Sequence, residues 1–191
     1  ANQELAKEDV QQAEQDIRAA GVVVAQLEIP LETVMHAAQL AKKHRIPFIL
    51  DPAPARPLPF ELIQSVDVIK PNETEASVLT GIPVTDEQSA RRAAEKLLSM
   101  GARSVIVTMS SEGFLFATPE AVEFIGGIKV RTVDSTAAGD AFMGALAYGL
   151  SCGRRLKDAA LFANKVAAIS VTKKGAQSSL PTMEEVNSFK I

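Results

Sequence analysis

At 191 residues and 47% hydrophobic composition, the chain is long enough to bury one substantial core. A formal net charge of −3 and a pI near 5.5 argue against a nucleic-acid or membrane-surface protein, whose footprint is a basic patch. No apolar run is long enough to span a bilayer, and Cys152 is the single cysteine, which rules out an intrachain disulfide and a cysteine-based zinc site.

Leu5, Val10, Ala13 and Ile17 predict a helical stripe up to Ala20, ended by Gly21. Val22 to Leu27 is a short continuous apolar run, as expected of a strand buried on both faces. The pattern then predicts a helix from Leu31 to His44 and a strand from Ile46 to Leu50. His36 and His44 share that helix with no acidic ligand pattern around them, and are expected at the surface. The Pro-rich loop Asp51 to Pro59 leads to a short helix and a strand from Val66 to Lys70. A helix near Glu73 to Thr80 stops at Gly81, and a longer one runs from Asp86 to Met100. Ser104 to Thr108 is the next buried strand. Gly113 to Ala117, Ala121 to Ile125 and Ile128 to Val133 are expected as short antiparallel strands, and helices follow at 139–152, 156–172 and 182–190. The fold class is α/β: a mainly parallel sheet flanked by helices, with an antiparallel edge, in a single domain over 1–191.

In such sheets ligands bind outside the carboxyl ends of the strands, which selects Glu28, Asp51, Asn72 and Thr108. The prolines of Asp51-Pro52-Ala53-Pro54-Ala55 stiffen that loop, which we assign to the scaffold. The segment Val133-Asp134-Ser135-Thr136-Ala137-Ala138-Gly139-Asp140 carries most information. A predicted strand from Gly127 runs into a small-residue turn that opens a helix, so backbone N–H groups from Ala137 to Gly139 can approach an anion where the helix dipole favours it. Asp140 beside those donors is suited to take a proton from a hydroxyl attacking a phosphoryl group.

Asp134-Ser135-Thr136-Ala137-Ala138-Gly139-Asp140 resembles the D-T-x-x-G-D signature of the ribokinase-like (PfkB) carbohydrate kinases, with Ser135 where Thr is usual. Pro71-Asn72-Glu73-Thr74-Glu75 resembles the family's N-x-x-E motif. By that resemblance Asn72 faces the nucleotide phosphates and Glu75 organises Mg2+, although both also suit a helix-capping pair. Thr108-Met109-Ser110-Ser111-Glu112-Gly113 resembles the T-x-G-x-x-G nucleotide loop, with Ser110 replacing the first glycine. Gln26-Leu27-Glu28-Ile29-Pro30 resembles the stretch whose Glu bonds the sugar, and Asn164 matches a position near adenine or ribose. Asp134, Thr136, Ser170, Lys173, Gly175 and Ser179 occupy positions matching a monovalent-cation (K+) site, several of them acting through backbone carbonyls. The resemblance implies a Rossmann-like ribokinase fold and transfer of phosphate from ATP to ribose, giving ribose 5-phosphate. Asp140 would be the base, Ala137, Ala138 and Gly139 the anion hole, and ATP, Mg2+ and K+ the cofactors. Another sugar kinase of the family, such as a deoxyribokinase or fructokinase, and a truncated nucleotide-binding module are the alternatives.

The resemblance starts part-way into the family pattern. The β-rich lid and most sugar contacts are therefore expected to lie outside this chain, leaving an N-terminally incomplete fold. The expected partners are a small-molecule sugar and ATP, without nucleic acid or membrane. The expected location is the cytoplasm, and a homodimer is expected if a full-length chain supplies the lid.

Overall fold

A computed structural model of the protein describes residues 2–190, which fall into two compact units. The first comprises residues up to Met109 together with Phe114–Ile125, and the second comprises Ser110–Gly113 with the chain from Gly126 onward.

The first unit is built on the sheet. Strands β1 (Val23–Ala25), β2 (Phe48–Leu50), β3 (Val68–Ile69), β4 (Val105–Met109), β5 (Gly113–Ala117) and β6 (Val122–Gly126) lie side by side in chain order. β1 to β4 pair in parallel, with Ala25 opposite Leu50 and Leu50 opposite Ile69. β4 and β5 are neighbours joined by the three residues Ser110–Glu112, a connection too short for a crossover, so this edge is antiparallel. Parallel strands need long crossovers. Here they are helices α3 (Leu31–His44), α4 (Phe60–Ile63), α5 (Glu73–Thr80) and α6 (Glu87–Ser99).

Each crossover helix forms for a legible reason. In α6 the residues Ala90, Ala93, Ala94 and Leu97 recur at helical spacing and are fully buried. Asp86 caps this helix by accepting from Ser89 N at 2.7 Å. In α3 the buried stripe is Val34, Ala37, Ala38 and Ala41, small residues that let helix and sheet approach closely. They meet Phe48, Leu50, Ile69, Val105 and Val107 in one core. The alternate residues Ile49 and Ile106 face the other side of the sheet and are equally buried. Full burial of such side chains contributes about 1.5–3 kcal/mol each.

Three expectations change. The N-terminal helix is two pieces, α1 (Lys7–Gln12) and α2 (Glu14–Ala19), broken at Ala13. β1 is shorter than the apolar run and is not buried on both faces, because it is a sheet edge and Val24 is 40% exposed. Residues 128–133 alternate like a strand yet form none. Val133 N and Asp134 N both donate to Val171 O, so the backbone there is satisfied by a helix end rather than a ladder.

The second unit contains α7 (Ala138–Ser151), α8 (Leu156–Ser170) and α9 (Met183–Ser188), with α7 packed along α8. No helix of the described residues is long and apolar enough to cross a membrane.

The histidines are not plain surface residues. His36 Nε2 lies 3.1 Å from Gln11 Oε1, and half-buried His44 lies 2.7 Å from Glu14 Oε1, which also accepts from Lys43 Nζ at 2.6 Å. These contacts fasten α1 and α2 to α3. The Lys43 and His44 bonds hold the Glu14 carboxyl at about 2, well below its ordinary 4.5. A carboxylate lowered in the folded state stabilises it fully above its unfolded pKa, and loses that effect as pH falls toward the folded value. Denaturation midpoints followed from pH 7 to pH 2 are expected to show a steep acid limb below about pH 4.5 in the parent, and a shallower one in Glu14→Gln.

Candidate active site

In the first unit the polar residues gather at the carboxyl ends of the parallel strands. Asp51 follows β2 and Lys70 follows β3. The register that sets Leu50 opposite Ile69 sets these two opposite each other next. Lys70 Nζ lies 3.1 Å from Asp51 Oδ2, with both side chains at least nine-tenths buried (4% and 6% exposed). Pro71 O then accepts from Thr108 N at 2.9 Å, and Asn72 bridges to Thr108 in parallel fashion. Thr108 therefore lies within β4, not after it.

Asn72 caps α5. Its Oδ1 accepts from Glu75 N at 2.9 Å, while the Glu75 carboxylate accepts from Asn72 N at 2.8 Å and from Asn72 Nδ2 at 2.9 Å. Both ends of the N-x-x-E motif are thus locked by one reciprocal turn. Glu75 is buried, and desolvation raises its carboxyl above the ordinary range. The Asn72 backbone bond pulls it back, Asp51 adds to the rise, and Lys70 opposes it. Glu28 is exposed, and its carbonyl accepts from Gln3 Nε2 at 2.9 Å.

In the second unit, Ser110–Glu112 is a single 3-10 turn, and Ser110 has φ 44°, the left-handed region a glycine adopts freely. Gly127 N donates to Glu112 O at 2.8 Å, and Asn164 Nδ2 donates to Gly126 O at 3.2 Å. The turn, the Gly126-Gly127 pair and Asn164 are therefore one cluster. Gly127 must be glycine, since a Cβ there would stand 2.2 Å from Ser111 O.

Ser135 and Thr136 before α7 are exposed, and the half-buried cap Ala137 is left-handed at φ 60°. Ala138 N donates to Ser135 O at 3.2 Å, so it is not a free donor as the sequence suggests. Among the described residues the N–H groups of Ala137, Gly139 and Asp140 have no acceptor, and Asp140 stands in the first turn with them. Asp140 also borders an apolar cavity of about 220 Å³ lined by Tyr148, Phe162, Val166 and Leu180. Asp140 and Tyr148 are its only polar side chains, too few to orient a sugar or nucleotide.

Asp134 ties that turn to the loop after α8. Its Oδ1 accepts from Thr136 N and its Oδ2 from Gly175 N, each at 2.9 Å. The Thr136 hydroxyl, then the Gly175 and Thr136 amides, hold its carboxyl at about 2. Lys173 N donates to Ser170 O at 3.1 Å, and Lys173 Nζ is engaged by Glu185 Oε1 at 2.5 Å, which leaves only its carbonyl for a ligand. Ser170 and Ser179 are fully buried, their hydroxyls donating to Ala167 O and Ala176 O. Carboxylate, hydroxyl and carbonyl oxygens are the donor set a potassium ion takes.

The two units thus hold one set each: Glu28, Asn72, Glu75 and Thr108 in the first, and the Ser110–Gly113 turn, Asn164, the Asp140 turn and the Asp134 loop in the second. The sequence missed Lys70 and the Gly126-Gly127 pair. A lysine closing an apolar strand, and a Gly-Gly step, were the available signals.

The pfkB family carbohydrate kinase pattern matches residues 1–183. The chain is similar to the ribokinase of Staphylococcus aureus (strain COL), 45% identical over 188 residues that make up 98% of this chain and 62% of that protein. It is 41% identical to the deoxyribokinase of Salmonella typhi, covering 99% of this chain and 62% of that one. The solved structure of Arabidopsis thaliana ribokinase complexed with ribose and ATP superposes with a TM-score of 0.88 at 31% identity, over 98% of this chain and 61% of that one. The chain therefore spans 62% of the length of these curated relatives.

Left-handed backbone costs an L-residue about 1–2 kcal/mol, partly offset by the lower entropy it brings to the unfolded chain. Ser110→Gly is expected to stabilise the protein by about 0.5–1 kcal/mol, and Ser110→Ala not to, as read from denaturant midpoints.

Proposed function

This chain belongs to the pfkB family of carbohydrate kinases, and from that premise we propose that it is the nucleotide-binding and catalytic portion of a ribose kinase. The observation that carries the chemistry is Asp140 in the first turn of α7, beside the unengaged N–H groups of Ala137, Gly139 and Asp140 itself. The primary hydroxyl of ribose attacks the γ-phosphorus of ATP. A new O–P bond forms, the bond to the β-phosphate oxygen breaks, and the hydroxyl proton passes to the Asp140 carboxylate as ADP departs. The helix N-terminus stabilises the charge on the transferring group.

Among the described residues no three His, Cys, Asp or Glu side chains gather around a metal. Glu75 would hold Mg2+ as a single carboxylate, with water and phosphate oxygens completing the shell, an arrangement this ion accepts. Bound there, Mg2+ neutralises phosphate charge. Asn72 presents the Glu75 carboxylate through the reciprocal cap. Glu28 is assigned to the sugar hydroxyls, and the cluster of Ser110–Gly113 and Asn164 to the nucleotide. Asp134, Thr136 and the carbonyls of Ser170, Lys173, Gly175 and Ser179 are assigned to K+. Deoxyribose stays within the substrate range, given the 41% identity to a deoxyribokinase. The cytoplasm, where ATP is at hand, is the location assigned to it.

In the full-length protein, Asp140→Asn is expected to lower ribose-dependent ADP formation by about 10²–10⁴-fold while leaving ATP affinity nearly unchanged by calorimetry. Turnover at the parental rate would remove Asp140 from the role of base. Potassium is expected to support a higher rate than sodium at equal ionic strength, and Asp134→Asn to abolish the difference. Equal rates in the two salts for the parent would remove the cation assignment.

A further inference from the structure

The Asp51–Lys70 pair has no part in the chemistry above, yet it is costly to build. A buried ion pair is no more stabilising than apolar residues of the same volume, because desolvating two charges offsets their attraction. Its stability alone does not explain why the first unit places one at this position. The position is distinctive: the two residues end adjacent parallel strands, at the edge where such sheets bind ligands. Lys70 stands two residues before Asn72, on the backbone that runs through Pro71 into the cap of α5, and Pro71 O and Asn72 are themselves pinned to Thr108. The pair is nearly excluded from water, so its charges act on neighbours with little screening. The Glu75 carboxylate accepts from Asn72 N at 2.8 Å, two residues beyond Lys70, so it stands on the same short stretch of backbone as the buried pair.

We propose that Asp51 and Lys70 act through Glu75, their opposite charges setting how tightly the Asn72–Glu75 turn holds the divalent cation that accompanies the nucleotide. Asp51 strengthens the hold and Lys70 moderates it. The pair keeps the site near neutral until the cation arrives, so the ion is held firmly enough to serve the phosphates and loosely enough to leave with ADP. This rests on the kinase reading, and in particular on Glu75 as the metal-organising carboxylate.

Sign separates this from a packing role. If the pair merely braced the turn, loss of either partner would loosen it and weaken cation binding. If the charges act, the two losses move affinity in opposite directions. The measurement is the dissociation constant of Mn2+ in the ternary complex of the full-length protein with ADP, from the paramagnetic resonance signal of free Mn2+. Asp51→Asn is expected to weaken Mn2+ by about three- to ten-fold and Lys70→Met to tighten it by a similar factor. The double variant is expected to return to within about two-fold of the parent. Weakening in both single variants, or no change in either, would overturn the proposal. Should Lys70→Met leave Asp51 unpaired and fail to fold, the sign is still read by comparing Asp51→Asn with the uncharged double variant, which is expected to bind Mn2+ more tightly than Asp51→Asn. Equal or weaker binding by the double variant counts against the proposal. Glu75→Gln is the control for the underlying assignment. If it leaves Mn2+ binding unchanged, Glu75 is not the metal-organising group, and the role of the pair falls with it. If Glu75→Gln abolishes binding while the pair variants fail the sign test, the kinase reading stands and only the charge pair is removed.

Discussion

A parallel strand can be followed by another only if the chain returns to the starting edge, so every strand of such a sheet ends on the same side. β1 to β4 obey this constraint, with α3 to α6 as the return segments. Asp51, Lys70, Asn72 and Glu75 come from chain segments some twenty residues apart, yet stand at neighbouring strand ends. The backbone secures this placement. Asp51 N donates to Ala25 O and Lys70 N to Leu50 O, each at 2.9 Å, extending the ladder to these polar residues themselves. The buried apolar residues behind them, Leu50, Ile69 and Val107, hold that edge rigid.

Helix starts supply much of the remaining chemistry, because they present donors that the helix itself cannot satisfy. The protein uses two of them differently. At α5 the donors are taken up internally: Asn72 and Glu75 satisfy each other, and the result is a fixed carboxylate. At α7 the residues are too small to cap, and Ala137 is held in a left-handed conformation that an L-residue resists. The donors there stay available, and Asp140 is the only carboxylate of that first turn. A filled cap fixes a side chain, whereas an open one offers the backbone.

Carboxylates take three different states from their surroundings. Asp134, half-buried and bonded by Thr136 and Gly175, is held strongly ionised and joins two loops. Glu75 is buried, and desolvation raises its carboxyl despite its bonds. Asp51 is buried against a cation of its own. The second unit also links its helices through such contacts, since Glu185 both caps α9 by accepting from Thr182 N and engages Lys173 in the loop that Asp134 grips. Local charge pairing thus shapes the loops around the site as much as apolar packing shapes the sheet.

Periodicity and punctuation in the sequence determined most elements. The 31–44 helix and the stop at Gly81 appear where alternation and glycine put them. The motif residues were equally legible, because D-S-T-A-A-G-D and P-N-E-T-E are contiguous and their chemistry is local. Tertiary structure decided what depends on partners distant in sequence. Residues 128–133 carry strand alternation, but their ladder position is taken by the Val171 carbonyl. Val22 to Leu27 has a core composition but forms a sheet edge, since burial belongs to position in the sheet and not to the run itself. Asp51 looked like loop scaffold and Lys70 like a strand end until pairing of β2 with β3 set them opposite each other. A residue's type and its near neighbours can be read along the chain, but the dielectric around a charge and the identity of its partner exist only once the strands have paired.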